Sequence, residues 1–346
     1  MSRHSQRKAD HLDLCATDAV AFQAKTTLLD QVQLVHDALP ELALPNIDLS
    51  TRLAGASLQA PLVIAAMTGG VDRAAAVNRD LALVAQDLGL AFGFGSMRPL
   101  LEDGVTDGYL VRDVAPDAVI FGNIGIVQAR QASTDDLARM VDQTGCNALC
   151  VHLNPAMEVV QPGGDEDFTG GLSTLSRLVQ GLHVPVIAKE TGCGLSRSVG
   201  KRLVNIGIAT VDVSGAGGTS WVGVETLRAR AKTRAIGERF WDWGIPTAAS
   251  VVQLRGLGLE TIATGGIRHG LDIARALALG ATAGGVARPF LQAWNEGGAD
   301  QAREAAVGFL DEIRIAMLLT GSDTVSAMRR AETVLGPDLK AWVPDS

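Results

Sequence analysis

Residues 260–289 read ETIATGGIRHGLDIARALALGATAGGVARP, and this stretch decides the fold. The apolar run Glu260–Thr264 ends in a Gly-Gly turn and is followed by a helical pattern over Leu271–Leu279. A second apolar run, Thr282–Ala287, then ends at an arginine. Continuous apolar runs are typical of parallel strands buried on both faces. The stretch therefore predicts a strand, a helix and a second, parallel strand.

The same unit recurs along the chain from residue 61. The six further apolar runs are Leu62–Met67, Ala91–Gly95, Ala118–Asn123, Asn147–His152, Pro185–Lys189 and Thr210–Ser214. Further helical patterns cover Ala74–Leu88, Leu137–Val141 after the capping candidates Ser133 and Thr134, Leu195–Ile206 and Ala302–Leu319. Eight such units predict an α/β fold, a (β/α)8 TIM barrel, in preference to an open doubly wound sheet.

The remaining segments define the organisation around this barrel. We expect an irregular N-terminal arm over residues 1–60, the barrel over 61–320 and a terminal helix and tail over 321–346. The segment Ser220–Gly258 is too long for one connection, so it should carry extra structure near the barrel mouth.

Composition excludes several classes of function. The 346 residues include 30 Lys and Arg against 38 Asp and Glu, a formal net charge of -8, which argues against nucleic-acid and anionic-membrane binding. The four cysteines follow no zinc spacing and are expected to be reduced thiols. The polar N-terminus has no apolar signal core, and no apolar stretch is long enough to span a membrane. These features predict a cytoplasmic protein.

Polar and glycine residues follow all eight apolar runs, at the strand ends where barrels of this kind carry their active sites. GGIR at 265–268 and ARP at 287–289 follow runs seven and eight, whose loops often bind phosphate. GAGGT at 215–219 adds backbone donors and the Thr219 hydroxyl. Three tight turns are the alternative reading, but phosphate binding is favoured. Such a phosphate suits flavin mononucleotide (FMN), beside whose ring the Lys189 ammonium could lie.

A second group of donors points to another anion. It comprises Arg7, Lys8, His11, Ser96, Arg98 and His152. For Arg7 and Lys8 alone, composition favours a solvated N-terminus instead.

The chain resembles the type 2 isopentenyl-diphosphate isomerases, flavin-dependent enzymes that interconvert isopentenyl and dimethylallyl diphosphate. The stretches that carry the resemblance are RKADHL (7–12), AAMTGG (65–70), GSMR (95–98), GNIG (122–125), HLN (152–154), AKETGCGLS (188–196), DVSGAGGTSW (212–221), DWGIPTA (242–248), ATGGIRHGLD (263–272) and ARPFL (287–291). FMN barrel oxidoreductases in general share the phosphate loops but lack RK-x-DH and HLN.

The resemblance implies a set of site residues. Those expected to hold FMN are Thr68, Gly69, Gly70, Ser96, Asn123, Lys189, Ser214, Thr219, Gly265, Gly266, Arg268, Ala287 and Arg288. Those expected to bind the prenyl diphosphate are Arg7, Lys8, Ser96, Met97, Arg98, His152, Asn154 and Gln161. Glu158 would hold Mg²⁺, and His11, His152 and Lys189 would serve the chemistry. The resemblance also implies NADPH as flavin reductant and a homotetramer or homo-octamer.

Met157 departs from the family pattern, which has Gln at that position. A thioether cannot donate a hydrogen bond or relay a proton. Two alternatives therefore stand beside the isomerase: a diverged FMN enzyme for another prenyl diphosphate, and a non-catalytic protein that binds FMN and diphosphate. A hydroxy-acid oxidase is disfavoured, because the chain shows no base and arginine pair for a carboxylate substrate.

Overall fold

The computed structural model describes residues 14–67 and 72–344. The strands are β1 (Val32–Leu34), β2 (Thr51–Leu53), β3 (Ala56–Leu58), β4 (Leu62–Ile64), β5 (Ala91–Gly93), β6 (Val119–Gly125), β7 (Ala148–Leu153), β8 (Val186–Glu190), β9 (Thr210–Asp212), β10 (Glu260–Thr264), β11 (Ala283–Val286) and β12 (Thr333–Leu335). Short 3-10 turns cover Asp18–Val20, Leu29–Gln31 and Leu44–Asn46.

The helices follow the strands in alternation through most of the chain. They are α1 (Asp72–Leu88), α2 (Arg98–Asp103), α3 (Ile126–Gln131), α4 (Thr134–Thr144), α5 (Pro155–Glu158), α6 (Gly171–Gly181), α7 (Arg197–Asn205), α8 (Trp221–Arg228), α9 (Ala231–Phe240), α10 (Thr247–Leu254), α11 (Gly270–Ala278), α12 (Arg288–Leu319), α13 (Val325–Met328) and α14 (Pro337–Lys340). Helix α12 is interrupted at Gly297 and Gly298, whose backbone angles are not helical.

Strands β4 to β11 form one closed parallel barrel, which confirms the predicted (β/α)8 fold and rules out the open sheet. The barrel closes where β11 pairs with β4, with Gly284 opposite Leu62 and Val286 opposite Ile64. Each of the eight apolar runs contributes one barrel strand. The predicted helical patterns also fall on helices, and the hydroxyl of the expected capping residue Ser133 accepts the N–H of Asp136 at the start of α4.

Two apolar layers hold the barrel together. One lies between the strands and the surrounding helices, and the other fills the barrel interior with side chains such as Phe121, Ile187 and Ile262. The antiparallel hairpin β2–β3 joins the interior layer through Leu53 and Leu58. This hairpin is tied to the amino-terminal side of the barrel, because the N–H of Ala54 donates to the Glu260 carboxylate at 2.7 Å. The opposite, carboxyl-terminal end is left open for a site.

The segments outside the repeating units are more structured than the sequence indicates. Ser220–Gly258 carries two extra helices, α8 and α9, before α10, which packs against β10 as the barrel helix of that unit. After residue 321 the described chain forms two one-turn helices and strand β12 rather than a single helix. Strand β12 pairs antiparallel with β1 of the N-terminal arm, Leu335 facing Val32. In the described ranges, 14–67 and 72–344, no helix is both long and apolar enough to cross a membrane.

Candidate active site

A cavity of about 540 Å³ opens at the carboxyl-terminal ends of the barrel strands. This volume lies within the range of small-molecule and cofactor sites. The cavity is lined by polar side chains from β6 to β8 on one side and by glycine-rich loops after β9, β10 and β11 on the other. Parallel strands deliver their carboxyl ends to one rim, so residues far apart in sequence meet there.

Strand register places four functional positions side by side. Gly125 on β6 pairs with His152 on β7, His152 pairs with Lys189 on β8, and Lys189 pairs with Asp212 on β9. The imidazole, the ammonium and the carboxylate therefore lie in adjacent positions across three neighbouring strands. Gly125 leaves space in this row, because a Cβ there would lie 3.0 Å from Nε2 of His152.

His152 is held as a neutral imidazole of defined orientation. Asn123 donates its Nδ2–H to the carbonyl of Phe94 at 3.0 Å, so its Oδ1 is the atom that faces His152. The His152 Nδ1 lies 2.9 Å from that oxygen and must carry the proton. Burial, followed by the nearby Lys189 charge, lowers the pKa of His152 to about 4. The Nε2 lone pair is therefore free for a ligand at neutral pH.

Lys189 and Asp212 form a buried ion pair at the centre of the site. The Lys189 Nζ donates to Asp212 Oδ2 at 2.8 Å, and both side chains are more than nine-tenths buried. The other Asp212 oxygen accepts the N–H of Ser214 at 3.0 Å. Ser214 has a φ of 35°, a left-handed conformation that is unfavourable for a side chain and persists where surroundings enforce it. Strain at this point indicates a site shaped for a ligand.

Glu158 lies at the end of the one-turn helix α5 and is surrounded by donors. Its Oε1 accepts the Asn154 amide at 2.7 Å, and its Oε2 accepts the Gln161 amide at 3.1 Å and the N–H of Asp165 at 3.0 Å. These neutral donors fix the carboxylate without neutralising it. The described residues contain no cluster of three or more His, Cys, Asp or Glu that could hold a metal ion. A cation here would need additional ligands from a substrate or from water.

The opposite rim is built from backbone. A Cβ on Gly218 would lie 2.4 Å from the N of Gly266, and a Cβ on Gly265 would lie 2.2 Å from the carbonyl oxygen of Gly215. The two loops can approach this closely only because Gly218 and Gly265 carry no side chains. Within the described part of the chain, neither Gly266 nor Ala287 donates its N–H to a protein acceptor. Free N–H groups in a concave surface suit an anion.

The N-terminal arm closes over this backbone rim. The Arg288 guanidinium donates to Thr219 Oγ1 at 2.7 Å and to Asp18 at 2.9 Å. Phe22 donates its N–H to the carbonyl of Gly218 at 3.2 Å, so the arm is attached to the loop itself. Cys15 of the arm also lines the cavity, and burial raises the pKa of its thiol to about 12, so the thiol is protonated.

The structure gathers most of the site residues expected from the sequence. Those that line the cavity are Ser96, Arg98, Asn123, His152, Asn154, Met157, Glu158, Gln161, Lys189, Ser214, Thr219, Gly265, Gly266, Arg268, Ala287 and Arg288. Met97 differs, because its side chain is fully buried and its sulfur accepts the N–H of Asn123 at 3.2 Å. That side chain does not reach the cavity. The expected residues Arg7, Lys8, His11, Thr68, Gly69 and Gly70 lie outside the described residues.

Several lining residues were not among the sequence candidates. They are Cys15, Asp18, Gln128, Thr191, Trp221, Thr264 and Gln292. Thr264 could have been found, since it is the last residue of an apolar run and precedes Gly-Gly. Its Oγ1 is buried, and no described residue makes a hydrogen bond with it. Gln128 and Gln292 lie on helices and have no comparable signal.

Comparison with known proteins first identifies the class. The family model for FMN-dependent dehydrogenases matches residues 1–162 and 154–334. The chain is also 46% identical to an isopentenyl-diphosphate delta-isomerase of Synechococcus sp., with 94% of each chain covered. It is 42% identical to the enzyme of the same name from Methanosarcina barkeri, covering 97% of this chain and 93% of that one. The chain belongs to the isopentenyl-diphosphate delta-isomerase family.

Solved structures with the same fold are more distant in sequence. A mandelate oxidase with an FMN adduct has a TM-score of 0.66 at 22% identity, covering 94% of this chain and 95% of that one. A putative lactate oxidase of Pediococcus acidilactici has a TM-score of 0.68 at 14% identity, covering 96% and 93%. At these identities the likeness concerns the fold alone.

Proposed function

We propose that this protein interconverts isopentenyl diphosphate and dimethylallyl diphosphate over reduced FMN. One observation carries the proposal: relatives named for this activity match the chain over nearly its full length, at 42% and 46% identity. The cavity supports it, because His152, Asn154, Glu158 and Lys189 line the same space. The reaction adds a proton to one carbon of the substrate and removes a different proton from a carbon two positions away. It therefore causes no net redox change.

The backbone rim fits the phosphate of FMN. The free N–H groups of Gly266 and Ala287, with Arg288 and Thr219, offer the donors that a phosphate needs. The Thr264 hydroxyl, which has no hydrogen-bond partner among the described residues, lines the same cavity and would offer a polar contact to the ring. When bound in reduced form, FMN supplies an electron-rich ring that can carry a proton and stabilise positive charge. NADPH is proposed as the reductant.

Lys189 serves as the fixed positive charge beside the flavin site. Its ion pair with Asp212 holds the ammonium in place before any ligand arrives, so no reorganisation is needed during the reaction. An ammonium in this position favours a negatively charged ring over a neutral one. Ser214, strained and fixed by Asp212, completes the wall on that side.

The side-chain rim suits the diphosphate. Arg98 is half-exposed and ion-paired with Glu102 at 2.8 Å, so a stronger anion can recruit it. The Nε2 of neutral His152 can only accept, so it would take a hydrogen bond from a protonated diphosphate oxygen or from a water molecule, and Asn154 holds Glu158 ready for a cation. Mg²⁺ commonly uses one or two carboxylates together with phosphate oxygens, which matches a single Glu158. Arg7, Lys8 and His11 remain proposed substrate and catalytic residues.

Met157 places a thioether in the cavity one residue before Glu158. We propose that the isomerase tolerates it, because other groups already provide the donors to Glu158: Asn154, Gln161 and the N–H of Asp165. The apolar side chain adds dry surface, which protects developing positive charge on the alkene from water.

The deciding experiment is an anaerobic incubation of the FMN-loaded protein with NADPH, Mg²⁺ and isopentenyl diphosphate, followed by product analysis. Dimethylallyl diphosphate is the expected product. Bound, reducible FMN without product would remove the isomerase proposal and favour a diverged enzyme for another prenyl diphosphate.

We propose a homotetramer or homo-octamer in the cytoplasm, and the exposed aromatic pair Phe240 and Trp243 at the mouth is available for a subunit contact. Light scattering during gel filtration measures the assembly directly, and a monomer would contradict it.

A further inference from the structure

The side-chain carbonyl oxygen of Gln161 is buried and has no partner among the described residues. Gln161 exposes only 8% of its surface, and no described residue donates a hydrogen bond to its Oε1. A buried acceptor left unpaired carries a desolvation cost, so such groups are nearly always satisfied by protein, water or ligand. Gln161 also lines the cavity, so the missing donor can come from a bound species.

The orientation of the amide is fixed by its nitrogen. The Gln161 Nε2 donates to Glu158 Oε2 at 3.1 Å, and a carboxylate can accept but not donate. The nitrogen must therefore face Glu158, and Oε1 is the atom left over. Glu158 Oε2 already accepts two hydrogen bonds, whereas Oε1 accepts only that of Asn154. Glu158 thus retains an unused lone pair on Oε1, and no described residue uses either lone pair of the Gln161 Oε1.

We propose that Gln161 helps to hold the divalent cation of the proposed reaction, by accepting a hydrogen bond from a water molecule on the cation that Glu158 binds. This inference rests on the proposed function for the presence of the cation. Mg²⁺ usually keeps several of its waters, and these waters are strong donors that need acceptors. Groups of this second layer commonly contribute a factor of 10–100 to metal affinity. The same amide also donates to Glu158. Gln161 would therefore orient both the carboxylate that binds the cation and a water molecule on the cation.

The test measures cation binding rather than turnover. Mn²⁺ is titrated into the FMN-loaded protein with inorganic pyrophosphate, and binding is followed by the relaxation rate of water protons. Gln161→Leu, which keeps the volume but removes the carbonyl, should weaken Mn²⁺ binding about tenfold or more. Gln253→Leu is the matched control, because that half-buried amide uses both its oxygen and its nitrogen away from the cavity. It should leave Mn²⁺ binding unchanged.

Gln161→Glu separates cation binding from simple support of Glu158. Both variants lose the amide donor to Glu158, but the new carboxylate retains an oxygen for the cation's water and adds negative charge. Mn²⁺ binding should therefore be at least as tight as in the unaltered protein. Equal loss in the two variants would reduce Gln161 to a support for Glu158 and overturn the inference, as would an unchanged affinity in Gln161→Leu.

Retained FMN and an unchanged thermal midpoint establish that each variant is folded. Should Gln161→Leu fail this check, Gln161→Glu against the unaltered protein still decides the matter, since a weaker Mn²⁺ affinity there contradicts the inference. The readout is independent of product formation. If the Gln161 variants change Mn²⁺ affinity as expected but the unaltered protein forms no dimethylallyl diphosphate, only the isomerase proposal fails. If the protein forms the product but the Gln161 variants leave Mn²⁺ affinity unchanged, only this inference fails.

Discussion

The two halves of the cavity rim are built by opposite means. The half after β9 to β11 presents backbone, and its shape depends on the absence of side chains at positions such as Gly218 and Gly265. The half formed by β6 to β8 presents side chains that fix one another, as Asn123 fixes His152. The backbone half should therefore reject almost any added atom. The side-chain half should accept a substitution wherever another donor remains, as we propose for Met157.

The largest effect is expected at the ion pair that lies between the two halves. Lys189→Met leaves Asp212 as an uncompensated buried charge, which should lower the free energy of unfolding by about 3–5 kcal/mol. Chemical denaturation measures this loss. The double variant Lys189→Met/Asp212→Asn removes both charges and should regain most of it. No recovery in the double variant would contradict an electrostatic cause.

The second-largest effect is expected in the loss of folding stability that His152 causes at low pH. Its folded pKa of about 4 lies below the ordinary 6.5, so the unfolded chain binds the proton first and stability falls as pH drops through this window. Between pH 7 and pH 4.5 the loss should be about 2–3 kcal/mol larger than in His152→Gln. Unfolding free energies at the two pH values measure it. Equal acid sensitivity in both proteins would refute a buried neutral imidazole.

Glu190 makes stability change with pH in the opposite direction to His152. It does not affect the comparison of the unaltered protein with His152→Gln. Burial raises the pKa of its carboxyl to about 7, above the ordinary 4.5, so the folded chain binds the extra proton between these values. Its contribution to stability is present at low pH and is lost as pH rises through 7. Both proteins in the His152 comparison share this group, so its effect cancels.

The backbone half is tested by a single methyl group. Gly218→Ala places Cβ against the backbone of Gly266, which should cost about 1–3 kcal/mol of stability. FMN affinity should fall about tenfold, the equivalent of 1.4 kcal/mol, and flavin fluorescence quenching measures it. Gly308→Ala is the control, since a Cβ there meets open space within α12 and should leave FMN binding unchanged. Unaltered FMN affinity in Gly218→Ala would show that the loop adapts.

The smallest effect is expected from restoring an amide in the side-chain half. Met157→Gln should change kcat by less than about tenfold and stability by under about 1.5 kcal/mol, because Glu158 is already supplied with donors. Steady-state kinetics with isopentenyl diphosphate measure the change. A gain of a hundredfold or more would mean that the thioether had disabled the side-chain half.

The barrel could be predicted from sequence because its signals are local. Each apolar run, such as Glu260–Thr264, is short, continuous and followed by a turn and a helix. The rim positions follow from the same periodicity, since the residue that ends a run lies at the open end of the barrel. Lys189 and His152 could therefore be placed without knowledge of the tertiary structure.

The remaining features depend on contacts that no local pattern records. Met97 directly follows Ser96 of the rim, yet its side chain turns into the core because the backbone N–H of Asn123 offers its sulfur a partner. Gln161 lies on the loop after α5, and only the folded chain reveals that no described residue donates to its side-chain oxygen. The pairing of β1 with β12 involves three-residue strands far apart in sequence, too short to give a pattern of their own.

The pairing of β1 with β12 affects the order in which the protein folds during its synthesis. Val32 cannot meet Leu335 until about 300 intervening residues have left the ribosome, so the segment joining the arm to the barrel stays unpaired through most of synthesis. Loop-closure entropy delays such a contact to a late folding event. The pairing that holds residues 32–34 of the arm thus forms only near the end of translation, whereas the contact of Phe22 with Gly218 needs no residue beyond 218. Ribosome-bound chains that end just before residue 333 should therefore leave residues 32–34 more open to proteolysis than in the released protein, even though every barrel strand is present.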